Sequence, residues 1–389
     1  MADAAPITGA TERHAANGEA NGAPHLLARH LTKVFGPDPT SVLPLLEQGM
    51  DKDEVLARTG HTVGLHDVSI EVARGETFVV MGLSGSGKST LVRCLNRLID
   101  PTAGTLELDG TDLLGLGLRA LREVRRHRIG MVFQRFALLP HRNVIDNVGF
   151  GLRVQGVPRS ERARRAGAWV ERVGLAGYER ALPRELSGGM QQRVGLARAL
   201  CTDPEVLLMD EAFSALDPLI RREMQGELMR LQRELVKTVV FITHDLDEAL
   251  RLGDRVAILK DGRLVQVGTP VEIVTRPADD YVRAFVEDVD RSRVLRARDA
   301  LAFAAAPSWE AAAEPAGQVD ARATLGDALA AIAAGGGPVR VTASDGRTLG
   351  VLDATAALRA LTERAREGQD GRSAGSTPPG DDPSRPAAR

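Results

Sequence analysis

This sequence predicts an α/β fold, a mostly parallel sheet with helices on its faces, on two observations. Short, mostly apolar runs at Thr77–Met81, 205–209, Thr238–Thr243 and Arg255–Lys260 alternate with helical stretches such as 189–201 and 219–235. That is the rhythm of strand–helix–strand units around a sheet buried on both faces. The first run also opens directly into a glycine loop, Gly82-Leu83-Ser84-Gly85-Ser86-Gly87-Lys88-Ser89, followed by a helical run over 90–99.

Taken in order, residues 1–24 are rich in Ala, Gly and Asn and lack an apolar core, so a disordered leader is expected rather than a secretory signal. The main domain is expected over 25–290, with 31–35 as the end of its first strand. The stretch 36–64 reads as a helical insertion, with Val42, Leu43, Leu45, Leu46, Val55 and Leu56 set among charges. Val68, Ile70 and Val72 then alternate with Asp67, Ser69 and Glu71, the pattern of a half-buried strand. Composition changes near Arg291. A second region is expected over 291–367, Ala-rich at first and then compactly patterned from 324 to 364. Residues 368–389, rich in Gly, Ser, Pro and Arg, are expected to be disordered.

Composition narrows the function classes. Hydrophobic residues at 43% and charged residues at 26% are ordinary for a globular chain, and a net charge of −2 with no dominant basic stripe argues against nucleic acid as a partner. No apolar run approaches the roughly 18 to 20 residues of a membrane span. Service to a membrane would therefore come from its cytoplasmic side through a partner. Two cysteines, Cys94 and Cys201, cannot form a disulfide framework and suit a reducing compartment as small packing residues.

The glycine loop is a phosphate cradle. In the pattern G-x-x-x-x-G-K-[ST], successive backbone N–H groups face phosphate oxygens, and the following helix adds its positive end. Gly82, Ser84, Gly85, Ser86, Gly87, Lys88, Ser89 and Thr90 are the candidate ATP-binding residues. Lys88 supplies a charge for the β and γ phosphates and the Ser89 hydroxyl a ligand for Mg²⁺. The chain has only five lysines, so a chance match is expected roughly 0.005 times per chain. Val206-Leu207-Leu208-Met209 carries Asp210 to the sheet edge, where it can hold Mg²⁺ through water. Glu211 would then sit beside the γ-phosphate as a base or water-orienting group. Two adjacent acids at a strand end could also simply be solvated.

Leu186-Ser187-Gly188-Gly189-Met190-Gln191-Gln192-Arg193 resembles the signature of ABC-type ATPases. The resemblance implies their P-loop fold: a mostly parallel sheet core, an antiparallel β subdomain and a helical subdomain. It also implies that Ser187, Gly188, Gly189 and Gln191 act in trans on the γ-phosphate of a second copy, so that a head-to-tail homodimer encloses two ATP molecules. Gln134 matches the glutamine loop that senses the γ-phosphate, contacts a membrane subunit and joins Ser89 and Asp210 at Mg²⁺. Ser214 and Asp217, in Ser214-Ala215-Leu216-Asp217, match the loop that crosses the dimer interface. His244 matches the switch histidine. A histidine after a strand is more often structural, but one 33 residues after Glu211 fits the family's spacing. Phe35 matches the adenine-stacking aromatic, 47 residues before Gly82 because of the insertion, although a Phe at a strand end is often core.

Within that superfamily the chain is similar to the ATPases of glycine betaine/proline-type importers. The insertion carries Glu47-Gln48-Gly49 and Thr59-Gly60, and Leu95-Asn96-Arg97-Leu98-Ile99, Val132-Phe133-Gln134-Arg135-Phe136-Ala137-Leu138-Leu139-Pro140-His141 and Asp210-Glu211-Ala212-Phe213-Ser214-Ala215-Leu216-Asp217-Pro218-Leu219-Ile220-Arg221 also match. The resemblance implies an integral membrane permease as partner, an extracytoplasmic binding protein that chooses the substrate, and a peripheral position on the cytoplasmic face of the membrane. An importer ATPase for another small solute, such as an amino acid, and a soluble ABC ATPase without transport are the alternatives. Thr324-Leu325-Gly326-Asp327-Ala328-Leu329 and Asp345-Gly346-Arg347-Thr348-Leu349-Gly350-Val351-Leu352 resemble one CBS unit. Asp353 and Ala356 stand where adenosine-binding CBS units carry Ser or Thr and an acid, which points to a structural or dimerising role as much as to nucleotide sensing.

Overall fold

The computed structural model describes residues 23–134, 137–304 and 315–362. Most of the expected leader, the expected tail, and Arg135 and Phe136 lie outside them. The chain divides into two compact units, Met1–Leu295 and Arg296–Arg389.

In the first unit β1 (Leu26–Phe35) leads through a 3-10 turn (Pro39–Val42) into α1 (Leu43–Glu47) and α2 (Lys52–Thr59). Asp51 and Glu54 form a reciprocal cap at the start of α2, and Gly60 ends it with φ 72°. β2 (Thr62–Val72) then returns antiparallel along β1, with Thr62 opposite Phe35, so the helical part of the insertion is 39–59. Its Val42, Leu46 and Val55 bury against Val34 and Val63, a small core of their own.

β3 (Thr77–Met81) feeds α3 (Lys88–Leu95). The helical run expected over 90–99 spans Lys88–Leu95 instead, because Arg97 turns to φ 49°. There its guanidinium bonds Asp100 and the carbonyls of Leu113 and Leu116. β4 (Ala103–Leu108), β5 (Thr111–Asp112), α4 (Leu118–His127) and β6 (Ile129–Val132) follow. A helical layer of α5 (Val144–Val148), α6 (Phe150–Val154), α7 (Arg159–Arg172) and α8 (Gly188–Cys201) comes next, around Val148, Leu152, Val170 and Val194. The chain then alternates β7 (Val206–Asp210), α9 (Pro218–Leu235), β8 (Thr238–Thr243), α10 (Leu246–Leu252), β9 (Arg255–Lys260) and β10 (Arg263–Gly268). α11 (Pro270–Thr275), α12 (Asp280–Val286) and α13 (Arg291–Val294) end the unit.

The large sheet has the order β10-β9-β3-β8-β7-β6. All its pairings are parallel except the β9–β10 hairpin. A second sheet, β2-β1-β4-β5, is antiparallel. Strand alternation splits the apolar residues into two cores. Val79, Met81, Leu207, Met209, Val239 and Phe241 face α9 and α10. Phe78, Val80, Leu208, Val240 and Ile242 face α3 and the antiparallel sheet. The expected parallel core, antiparallel subdomain and helical subdomain are all present.

The second unit is a small α/β assembly. α14 (Ala297–Ala300) precedes β11 (Gly317–Asp320), α15 (Leu325–Gly335), β12 (Val339–Thr342), β13 (Thr348–Leu352) and α16 (Ala354–Thr362). β11 pairs parallel and β13 antiparallel with the central β12. Thr324 caps α15 reciprocally with Asp327.

Candidate active site

Register brings the site together. Met81 pairs with Thr243 and Asp210 with Ile242, so β3, β7 and β8 end on one line. Gly82, Glu211 and His244 therefore leave the sheet at the same carboxyl edge, where open parallel sheets bind ligands.

The phosphate loop closes on glycines that nothing else could replace. Gly82 has φ 154°, and a Cβ there would lie 2.3 Å from the Leu259 carbonyl oxygen. Gly87 has φ 103°, and its Cβ would meet the Gly64 carbonyl oxygen at 2.6 Å. Ser84 and Gly85 are exposed at the top of the loop. Lys88 is buried, and its ammonium donates to the carbonyls of Gly82 (2.8 Å) and Leu83 (2.9 Å). Burial lowers its pKa, while Glu211 and Asp210 push it back up. The Ser86 hydroxyl is buried without a hydrogen-bond partner among the described residues. A loop with glycines at its closest backbone approaches, a buried cation and an unsatisfied hydroxyl fit a polyphosphate.

The Ser89 hydroxyl donates to Asp210 Oδ1 at 3.0 Å. Burial raises the Asp210 carboxyl above its usual range, against the Ser89 hydrogen bond and Arg93, and the adjacent Glu211 raises it further. A divalent cation shared by these two oxygens would remove that penalty, so the pair fits Mg²⁺.

Glu211 stands at the centre. Its φ of 44° is left-handed, rare for a residue with a side chain, and its N–H donates to Ile242 O at 3.0 Å. This turn aims the carboxylate back over the loop. Gln134 Nε2 donates to it at 3.0 Å, His244 Nδ1 lies 3.5 Å away, and Lys88 Nζ lies 3.9 Å away. Gln134 Nε2 also reaches the Ser214 hydroxyl at 3.4 Å, which itself donates to the Glu211 carbonyl at 2.9 Å. His244 is half-exposed, open to a group above the sheet edge.

Phe35 lies beside Gly64 and Thr90. A Cβ on Gly64 would meet the Phe35 ring at 2.7 Å and the Thr90 methyl at 3.3 Å, so the ring lies beside the start of α3. Its remaining surface is solvent-accessible, with Lys33 Nζ 5.2 Å from the ring centre.

The signature segment is built separately. Ser187 caps α8 by accepting Met190 N–H at 3.3 Å. Gly188 is exposed, and a Cβ on Gly189 would strike Ile220 Cγ2 at 2.6 Å. Gln191 donates to the carbonyls of Pro183 and Leu186. Asp217 caps α9 by accepting from Leu219 and Ile220 N–H. Among the described residues, no hydrogen bond or ion pair joins Ser187, Gly188, Gly189 or Gln191 to residues 82–90 of the same chain.

Two features escape sequence reasoning. Tyr281 of α12 packs beside the phosphate loop: burial raises its phenol pKa, the nearby Leu83 N–H opposes that rise, and Lys260 Nζ lies 4.6 Å from its ring centre. Gly262 N–H donates to Ser86 O at 3.0 Å from the β9–β10 turn, for which Asp261-Gly262 was an available hairpin signal. Away from the phosphate loop, Arg122, Arg125, Arg126 and Arg198 line a cleft of about 350 Å³ floored by Met131 and Phe150.

The family model described as ABC transporter matches residues 65–214. The chain is 57% identical over 267 residues to the glycine betaine transport ATP-binding protein OpuAA of Bacillus subtilis, a match covering 69% of this chain and 64% of that relative. It is 55% identical over 271 residues to the glycine betaine/proline betaine transport system ATP-binding protein ProV of Escherichia coli, covering 70% and 68%. It is also 55% identical over 276 residues to the trimethylamine N-oxide transport system ATP-binding protein TmoW of Ruegeria pomeroyi, covering 71% and 81%. The solved dimeric structure of the ATP-binding cassette MJ0796 in a post-hydrolysis state with ADP and Pi superimposes with a TM-score of 0.54 at 30% identity. That match covers 63% of this chain and 98% of the solved one.

Proposed function

This chain belongs to the ABC transporter family, among the ATP-binding proteins of glycine betaine and proline betaine transport systems, and on that premise we propose that it is the ATPase that energises import of a small quaternary-amine osmolyte. The observation that carries the enzymatic part is the convergence of Gln134, Lys88, Ser214 and His244 on Glu211, beside the Ser89–Asp210 pair.

ATP would lie in the phosphate loop with its adenine against Phe35. Lys88 would release the Gly82 and Leu83 carbonyls and turn to the β and γ phosphates. Ser89, Asp210 and Gln134 would hold Mg²⁺, which supplies neutralisation of the charge that develops on the transferred phosphoryl group. Glu211, fixed by Gln134 and faced by His244, would orient and deprotonate the attacking water. Ser187 and Gly188 are exposed, and among the described residues none of Ser187, Gly188, Gly189 and Gln191 bonds to the phosphate loop of the same chain, which supports their completing the site of a second copy, with the Asp217-capped loop crossing between the two. Closure and reopening of that pair would pass to a permease through the Gln134 segment and the neighbouring arginine cleft.

Glu211→Gln is expected to keep MgATP binding, to lower hydrolysis by about 10²–10⁴-fold and to accumulate an ATP-dependent dimer. Wild-type turnover in that variant would overturn the role of Glu211. Substrate class is tested by reconstitution with permease and binding protein, comparing glycine betaine, proline, choline and an unrelated amino acid at low and high salt. Stimulation by the amino acid alone would replace the quaternary amine and leave the ATPase reading intact.

A further inference from the structure

Arg221 belongs to none of the motifs that bind nucleotide, yet its guanidinium gathers two parts of the site. It sits in the first turn of α9, with its side chain 26% exposed. Nε donates to Phe213 O at 3.3 Å, and Nη2 donates to Leu216 O at 3.1 Å and Ser214 O at 3.4 Å. Three carbonyls of the loop around Ser214 thus rest on one planar cation. On its other side Nη1 donates to Asp245 Oδ2 at 3.4 Å, and Nε lies 4.0 Å from Glu248 Oε1.

Those two acids are themselves fixed. Asp245, the residue after His244, uses its other oxygen to cap α10 at Glu248 N–H. Buried Glu248 accepts the Thr243 hydroxyl at 2.6 Å and Gln225 Nε2 at 3.0 Å, and Arg251 donates to Gln225 in turn. The strand end that carries His244 is therefore held from both sides, and Arg221 ties it to the loop that carries Ser214. The preceding residue, Ile220, packs on Gly189 at the start of α8.

We propose that Arg221 is a positioning residue that couples the 213–216 loop to the turn bearing His244, so that displacement of the loop by a second subunit is felt at the histidine. The proposal rests on the paired-site reading above. A guanidinium suits this role because its fork reaches several acceptors in one plane, which a lysine ammonium cannot do.

Arg221→Lys, and separately Asp245→Asn, which keeps a good helix cap, are compared with the parent chain in three measurements. Affinity for MgATP is expected to stay within about twofold. Hydrolysis is expected to fall about tenfold or more, and the ATP-dependent dimer of Glu211→Gln to weaken when either change is added. In a His244→Ala background, Arg221→Lys is expected to add little further loss, because it acts through that histidine. Full multiplicative loss in that cycle, or an unweakened dimer in both double variants, would overturn the coupling role. A Glu211→Gln chain that never dimerises with ATP would overturn the paired-site reading, and this proposal with it.

Discussion

Backbone conformation at two residues records what the site demands. At Gly82 a methyl group would fall within 2.3 Å of the Leu259 carbonyl, so Gly82→Ala must move the strand end or the loop. We expect a loss of about 2 kcal/mol or more in stability, with weakened nucleotide binding, measured by denaturant titration and nucleotide fluorescence. Glu211 carries the opposite case, a side chain retained in a left-handed turn where glycine would be easier. Buried Glu76 illustrates the charge side. Burial raises its carboxyl above the usual range, against Ala73 N–H and Arg255. A folded pKa above the unfolded one means that the charged form costs stability at high pH. That cost disappears as pH falls through the folded value and below the unfolded one. Glu76→Gln is therefore expected to raise the melting temperature at about pH 8 and to lose that advantage near about pH 4, in paired melting curves. Both cysteines are buried with thiols pushed up to about 11, so alkylation is expected only on unfolding.

At the scale of elements, the insertion and the phosphate loop are joined through a turn. α2 reaches the β9–β10 hairpin through the Lys52–Asp261 ion pair, and the next residue, Gly262, donates to Ser86 in the loop. The insertion keeps its own core, so damage there should stay local. Leu46→Ala is expected to cost about 2–4 kcal/mol and to expose the amides of 39–59 to hydrogen exchange, with MgATP affinity nearly unchanged. α8 begins on Ser187, which accepts the Met190 N–H at 3.3 Å, and the next residue, Gly188, is exposed. A helix start built this way suits an anion brought by another molecule.

For the whole molecule, two compact units imply two unfolding events. The phosphate loop, Asp210, Glu211 and His244 all lie within Met1–Leu295, so a chain ending at Leu295 is expected to bind MgATP and retain its melting transition. Calorimetry of the full chain should show that nucleotide at 100 times its Kd stabilises the first unit by about 2.7 kcal/mol and leaves the second unmoved. The second unit holds a parallel β11–β12 pair and a capped α15; the proposal that it is a CBS-like unit acting on transport is tested by deleting it and measuring the salt dependence of transport.

Legibility followed the range of the interactions. The phosphate loop and the Asp210–Glu211 pair are contiguous strings, so their residue order suggested a phosphate and cation site, whereas the reading of the Ser187 helix start came from resemblance to a family signature. Strand positions were legible for the same reason, since Thr77–Met81 and Thr238–Thr243 are buried on both faces and carry no competing pattern. Where α3 stops was not, because Arg97 bends to satisfy carbonyls 16 and 19 residues downstream. Nor were Arg221 and Tyr281, whose partners include loop carbonyls, and side chains at least 21 residues away that are brought close only by the fold. The meeting of Gln134, Ser214 and His244 at Glu211 was decided only when three parallel strands took a common register. Side chains far apart in the chain become hydrogen-bonding neighbours only once those strands pair.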